Sequence, residues 1–148
     1  MIAPASRYTA GMDLATAIAN IHYPAVLLAA FSTFFIGGLW YSPLLFARPW
    51  LQDNGLSDAD LKIGGGPVFA GAIVCAMIQA FVLALFLGPT ADARFGAVAG
   101  VLVGLGWVAP ALTTTFLFER RPRRLVLIDA AYHIVTYTVM GVILGAWH

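Results

Sequence analysis

Four long apolar runs, at residues 24–41, 67–87, 95–118 and 125–147, occupy most of this 148-residue chain and leave only short stretches between them. They are apolar on every face rather than at alternate positions, which excludes membrane barrel strands, whose side chains alternate between lipid and lumen. A helix rises about 1.5 Å per residue and bilayer hydrocarbon is about 30 Å thick, so each run can cross, the first only just. A helix also satisfies its own backbone where no water reaches, and an open strand cannot. The expected fold is therefore an all-α integral membrane protein, a four-transmembrane-helix bundle. Composition agrees, with 61% hydrophobic and 10% charged residues where a soluble domain carries about 25% charged.

Little chain remains for anything else. Residues 1–19 read as an N-terminal extension and 20–148 as the membrane domain. The first residues lack the basic start and small-residue cleavage site of a secretory signal, so no cleavage is expected, and Met12 is an alternative start to Met1. Pro24 and Pro67 suit first-turn helix positions, where a missing N–H costs nothing. The stretch 42–66 is the one sizeable extramembrane piece, with Ser57 as an N-cap opening a helical turn or two. Asp53, Asp58 and Asp60 within it lack the spacing of a calcium loop and read as a solvated face. The lone Cys75 excludes an internal disulfide and reads as a small apolar filler. A net charge of +1 excludes the dense basic footprint of a nucleic-acid binder.

Charge placement predicts orientation. Arg48, Lys62, Arg120, Arg121, Arg123 and Arg124 fall in the first and third connections, leaving Arg7 and Arg94 for the other side. The positive-inside bias then puts both termini outside, with Trp147 and His148 at the outer interface. The arginine-rich turn reads as a topology signal, or more sharply as a contact for anionic lipid headgroups through Arg120, Arg121, Arg123 and Arg124.

Lipid tails are as apolar as leucine, so helices meet closely only where small residues let their backbones approach. Such residues recur at four-residue steps: Ala25, Ala29, Thr33 and Gly37; Ala72, Ala76, Ala80 and Ala84; Gly96, Gly100 and Gly104; Gly141 and Gly145. These stripes predict a tight bundle, a homo-oligomer, or both. A weak tandem helical-hairpin repeat is also legible, since Gly37, Trp40, Ser42, Pro43 and Leu45 recur 67 residues on as Gly104, Trp107, Ala109, Pro110 and Leu112.

Polar side chains cluster toward one end. Asp129 lies about one turn inside the fourth run and His133 one turn deeper, with Thr136 and Met140 on the same face. Tyr41 and Ser42 end the first run at a similar level, Thr114 lies on the third, and Gln79 lies nearer the middle of the second. Ionisable groups at membrane depth are expensive, so this face is expected to point inward. One reading is a proton or ion relay, or a polar ligand pocket, with Asp129 holding the His133 imidazole in one tautomer. The plainer reading is a structural hydrogen-bond cluster, with Asp129 answering Arg123 or Arg124. No nucleophile has a base beside it, and His22 and His148 lie at the opposite end from His133, so no catalytic set, cofactor or metal is expected. Trp40, Tyr41, Trp50 and Trp147 read as an interfacial aromatic belt.

The segments Gly38-Leu39-Trp40-Tyr41-Ser42-Pro43-Leu44-Leu45-Phe46, Arg48-Pro49-Trp50, Phe118-Glu119-Arg120-Arg121-Pro122, Ile128-Asp129-Ala130-Ala131-Tyr132-His133 and Gly141-Val142-Ile143-Leu144-Gly145-Ala146-Trp147 together resemble a bacterial membrane family, domain of unknown function 1761. The resemblance covers about residues 20–147. It implies a small four-helix protein of the bacterial inner membrane and carries no activity, substrate or cofactor. The family pattern favours a neutral amide where this chain has Asp129. The expected role is a non-enzymatic accessory or assembly subunit of a larger membrane complex, or a homo-oligomer, whose partners are lipids and other transmembrane helices. The alternative is a small transporter, channel or lipid-handling protein using the Asp129 and His133 face.

Overall fold

A computed structural model of the protein describes residues 14–60 and 65–147. The readings placed on Met1, Arg7, Met12, Lys62 and His148 lie outside those residues. The regular secondary structure of the described residues is all helical, without strands, and comprises α1 (Leu14–Ala19), α2 (Tyr23–Trp40), α3 (Ala47–Asn54), α4 (Gly65–Leu87), α5 (Ala93–Val103), a π-helical turn (Gly104–Val108), α6 (Ala109–Phe118) and α7 (Arg123–Ala146). Four spans are long and apolar enough to cross a membrane: α2, α4, the continuous Ala93–Phe118 rod, and α7.

The helix ends follow from local chemistry. Pro24 stands in the first turn of α2. The Asp92 carboxylate accepts the Phe95 N–H at 2.7 Å and starts α5 two residues before the apolar run alone suggests. Ser57 forms the expected N-terminal turn, with Asp60 reaching back to accept its backbone N–H at 2.8 Å and its hydroxyl at 2.6 Å. The stretch after α2 is more ordered than its polarity suggests. There α3 runs for eight residues and stops at Gly55, whose φ of 66° is left-handed. Gly55 and Leu56 donate back to Gln52 and Leu51, which satisfies the carbonyls that the helix end exposes.

The α6–α7 turn uses the same closure with a less suitable residue. Arg120 N–H bonds Leu117 O at 3.1 Å and Arg121 N–H bonds Phe116 O at 2.9 Å, with Arg120 at φ 56°. An L side chain in that conformation costs about 1 kcal/mol. Arg120→Gly is therefore expected to raise thermal stability by about that amount, read as a higher unfolding midpoint in detergent.

The core is built on backbone proximity. α5 and the π turn run antiparallel to α7 with glycine at the contact: Gly96 against Gly141, Gly100 against Tyr137 and Thr138, Gly104 against Ile134, and Gly145 against Asp92. A Cβ at Gly100 would lie 2.7 Å from Thr138 Cα, and one at Gly104 2.7 Å from Ile134 Cα. These are distances that real Cβ atoms do not tolerate. Ala25, Ala29 and Thr33 of α2 and Ala76 and Ala80 of α4 are buried as well, and α2 packs against both α4 and α7. The small-residue stripes are thus largely used inside the chain.

Pro110 lacks an N–H and its ring would press on the preceding turn, yet the third span continues through it. The π turn absorbs the misfit: Ala109 N–H bonds Gly104 O, one residue wider than an α-helical bond. The buried face passes from Gly96, Gly100 and Gly104 to Ala109, a step of five instead of four. Pro43 lies beyond the end of α2, so the two copies of the Gly-Trp-Pro pattern occupy different local structures. Trp107 is exposed to the bundle's surroundings, whereas Trp40 is half-buried.

Candidate functional site

The ends of α2 and α3 meet the start of α7 around one carboxylate. Asp129 Oδ1 accepts the Tyr41 hydroxyl at 2.9 Å and the Trp50 indole N–H at 3.1 Å. One turn of α7 supplies further partners, since Trp40 Nε1 donates to Ile128 O at 3.1 Å and the Tyr132 hydroxyl donates to Thr33 O at 3.3 Å. The rings then close on one another. Tyr41 meets Trp50 edge-on with centroids 5.3 Å apart, Tyr132 lies 5.2 Å from Tyr41 and 6.4 Å from Trp40, and Phe46 lies 5.0 Å from Trp40. These separations fall in the range where tilted aromatic pairs attract beyond simple area burial.

A second tie holds α3 to α7 at the surface. Arg124 Nε and Nη2 donate to the two carboxylate oxygens of Asp53 at 2.8 and 2.7 Å. These charge-assisted bonds hold the Asp53 carboxyl below its ordinary range, because the guanidinium favours the ionised form. A depressed carboxyl stabilises the fold above the unfolded value, about 4, and loses that contribution as pH falls through the lower folded value. Mobility of α3, followed by a spin label at Arg48→Cys in a Cys75→Ala background, is accordingly expected to stay low through pH 4 and rise only in stronger acid. Asp60 is depressed in the same direction by its bonds from Ser57.

This arrangement corrects several expectations. Asp129 does not orient His133, because its carboxylate turns toward the aromatic groups of α2 and α3. His133 lies one turn on, edge-to-face with its neighbour Tyr132 at 5.1 Å. Nor does Asp129 answer Arg123 or Arg124, since Arg124 is engaged by Asp53. Ser42 donates to Leu39 O at 2.7 Å and so closes its own turn. Thr114 is exposed and donates to Pro110 O on its own helix at 2.9 Å. Gln79 is half-buried with no hydrogen bond to His133. Ser42, Thr114 and Gln79 therefore make no hydrogen bond to the Asp129 site. Tyr41 does belong to that site, and Trp40 and Trp50, read as belt residues, also act as hydrogen-bond donors into the site. Thr136 and Met140 of the same α7 face are buried, at 2% and 0% exposure.

Chemically, the site is a latch. Its carboxylate faces two neutral donors and a wall of rings, and its geometry fixes α3 against the bundle. Among the four arginines of the turn, Arg121 pairs with exposed Glu119 at 3.0 Å and Arg124 with Asp53, while Arg120 and Arg123 are exposed without an ion-pair partner among the described residues. No curated protein and no solved structure matches this chain. The model of one family, described as a protein of unknown function (DUF1761), matches residues 24–145, which takes in all four spans and the latch. The apolar helices, the aromatic segment around Trp40 and the Asp129 turn that first suggested that family are therefore parts of one matched domain, and the chain belongs to it.

Proposed function

We propose that this protein is a non-enzymatic helical subunit of the bacterial inner membrane that works by lateral packing, either within a larger complex or against further copies of itself. The observation that carries this reading is α4. Residues 66–75, nearly half of that span, are exposed along their whole length, while the second half is held by α2 and α7 through Ala76, Ala80, Leu83 and Leu87. The exposed half includes Gly71 and Cys75, four residues apart on one face, a spacing that lets another helix approach closely. Van der Waals contact between close backbones is the attraction available there.

The same reading assigns an orientation. Arg48, Arg120, Arg121, Arg123 and Arg124 lie at the Asp129 end and Arg94 at the other, so the latch faces the cytoplasm and both termini face outward. Arg120 and Arg123 are then free to meet anionic headgroups. A C-terminal alkaline phosphatase fusion is expected to be active and a green fluorescent protein fusion dark; the reverse pattern would invert the topology.

Assembly is tested by gentle native extraction of the tagged full chain, followed by mass spectrometry of what travels with it. A stoichiometric membrane protein, or a defined homo-oligomer, is the expected result. A monomer carrying only lipid would overturn the reading. Cys75, the single cysteine, is exposed and serves as its own reporter. If the contact is between copies, mild oxidation in native membranes is expected to give a covalent dimer that Cys75→Ser abolishes.

A further inference from the structure

The end of the bundle opposite the latch contains a partly open cavity of about 250 Å³. Three spans make its floor, with Ala25 of α2, Ala84 of α4 and Leu144 of α7. Its rim carries His22, Asn20 and Trp147, where the chain enters α2 and leaves α7. The cavity exists for a local reason. Small side chains at 25 and 84 leave space between α2, α4 and α7, and α1 with the Gly88–Pro89 turn encloses what they leave. It shares no residue with the Asp129 latch, and the assembly reading makes no use of it.

We infer that this cavity binds the ring of a neutral, carbonyl-bearing amphiphile, the chemistry of a membrane quinone, with its apolar tail leaving toward lipid. The lining restricts the ligand in three ways. Lysine, arginine, aspartate and glutamate are absent from it, so nothing there compensates a charged headgroup, and a buried unpaired charge is costly. The polar groups at the rim include a ring N–H of His22, the Asn20 amide and the Trp147 indole N–H. Each can donate a hydrogen bond and the Trp147 indole can only donate, so a ligand that engages Trp147 must offer an acceptor oxygen there. The side chains of His22 and Trp147 have no hydrogen-bond partner among the described residues, and Asn20 commits one amide N–H to Thr16 O at 2.8 Å.

The third restriction is shape. His22 and Trp147 lie against each other with ring centroids 5.6 Å apart and planes 37° apart. They present flat π surfaces at the mouth, which favour a planar ring over a branched head such as a glyceride. Below them the floor is methyl and methylene, matching the tail or ring substituents. The volume accommodates a substituted six-membered ring but not a folded acyl chain; ligand sites of about 300–1,000 Å³ hold whole drug-sized molecules. The site also sits where a membrane span meets the interface, the level at which the head of such an amphiphile already resides.

The test uses the full chain in mild detergent with decylubiquinone as the probe. Bound quinone per chain is measured by equilibrium dialysis and quinone absorbance. Saturation at one quinone per chain is expected. Ala84→Phe, which fills the floor, is expected to abolish it. Trp147→Phe and His22→Ala, at exposed positions outside the core, are each expected to weaken binding about fivefold, the loss of one hydrogen bond. Decylbenzene, which has the tail and ring but no carbonyl, is expected not to compete. Binding that never saturates, or saturates equally in the Trp147 and His22 variants, would overturn the proposal even if Ala84→Phe failed to fold. Equal competition by decylbenzene would overturn it too, by showing a purely apolar cleft. None of these readouts depends on oligomeric state, so failure here leaves the assembly reading standing.

Discussion

Gly100→Leu is expected to prevent the bundle from forming. A side chain at that position points at the Tyr137 and Thr138 backbone of α7, with even its first carbon 2.7 Å from Thr138 Cα. Backbone cannot yield as the end of a flexible side chain can, so the two helices must separate. Separation would undo the neighbouring contacts of Gly96 with Gly141 and Gly104 with Ile134 together, because all lie on one seam. Overpacking of a tight core costs about 1–3 kcal/mol, and here the loss of the seam adds to it. The measurement is the amount of monodisperse protein recovered from membranes, with an exposed control of equal chemistry. Gly106 supplies that control, since a Cβ there meets nothing within 4 Å. Gly106→Leu is expected to accumulate normally. Equal recovery of the two variants would mean that α5 and α7 do not meet along this face.

Asp129→Ala and Asp129→Asn are expected to differ sharply. Alanine removes the one oxygen that accepts from both Tyr41 and Trp50, leaving two half-buried donors without a partner. An unsatisfied buried donor costs about 1–3 kcal/mol, so a loss of about 2–4 kcal/mol is expected for the pair. Asparagine retains a carbonyl oxygen in nearly the same place, and the cost is expected to stay below about 1 kcal/mol. Unfolding midpoints in detergent separate the two. Tyr41→Phe made in the Asp129→Ala background completes a cycle, and its added cost is expected to vanish because the partner is already gone. If asparagine proves as damaging as alanine, the carboxylate carries something other than this latch. The expected tolerance of an amide agrees with the neutral amide that the family resemblance implies at this position.

The spans were readable from sequence because each announces itself locally, by about twenty apolar residues and a polar stop. The family was readable because its aromatic and turn segments are distinctive in combination. The helix α3 escaped notice although its signs are present: Pro49 stands in the first turn, and Gly55 follows the last residue. Eight residues with a mixed polar pattern carry too little periodicity to separate a helix from a loop. Asp92 as the cap of α5 was similarly legible from one acidic residue ahead of an apolar run.

The site was legible only as a depth. Spacing along α7 put Asp129 and His133 on one face, but a face does not name the neighbour it meets. Tyr41 and Trp50 lie 88 and 79 residues from Asp129, and no pattern within one helix reports contacts across that distance. The same limit applies to Arg124, whose partner Asp53 is 71 residues away. The glycine stripes were visible as stripes, while the pairing of Gly96 with Gly141 came only from the folded arrangement.

The π turn between Gly104 and Val108 sets a rule for comparing this chain with its relatives. It holds one residue more than a regular helix would need to carry the seam from Gly104 to Ala109. A relative with one residue fewer in that segment would span the membrane with a plain α-helix, and its α6 half would be rotated by about 100° unless the proline and the seam shifted together. Alignments through residues 104–110 should therefore be judged by helical phase as well as by identity, with a one-residue gap there marking a changed α6 face toward α7.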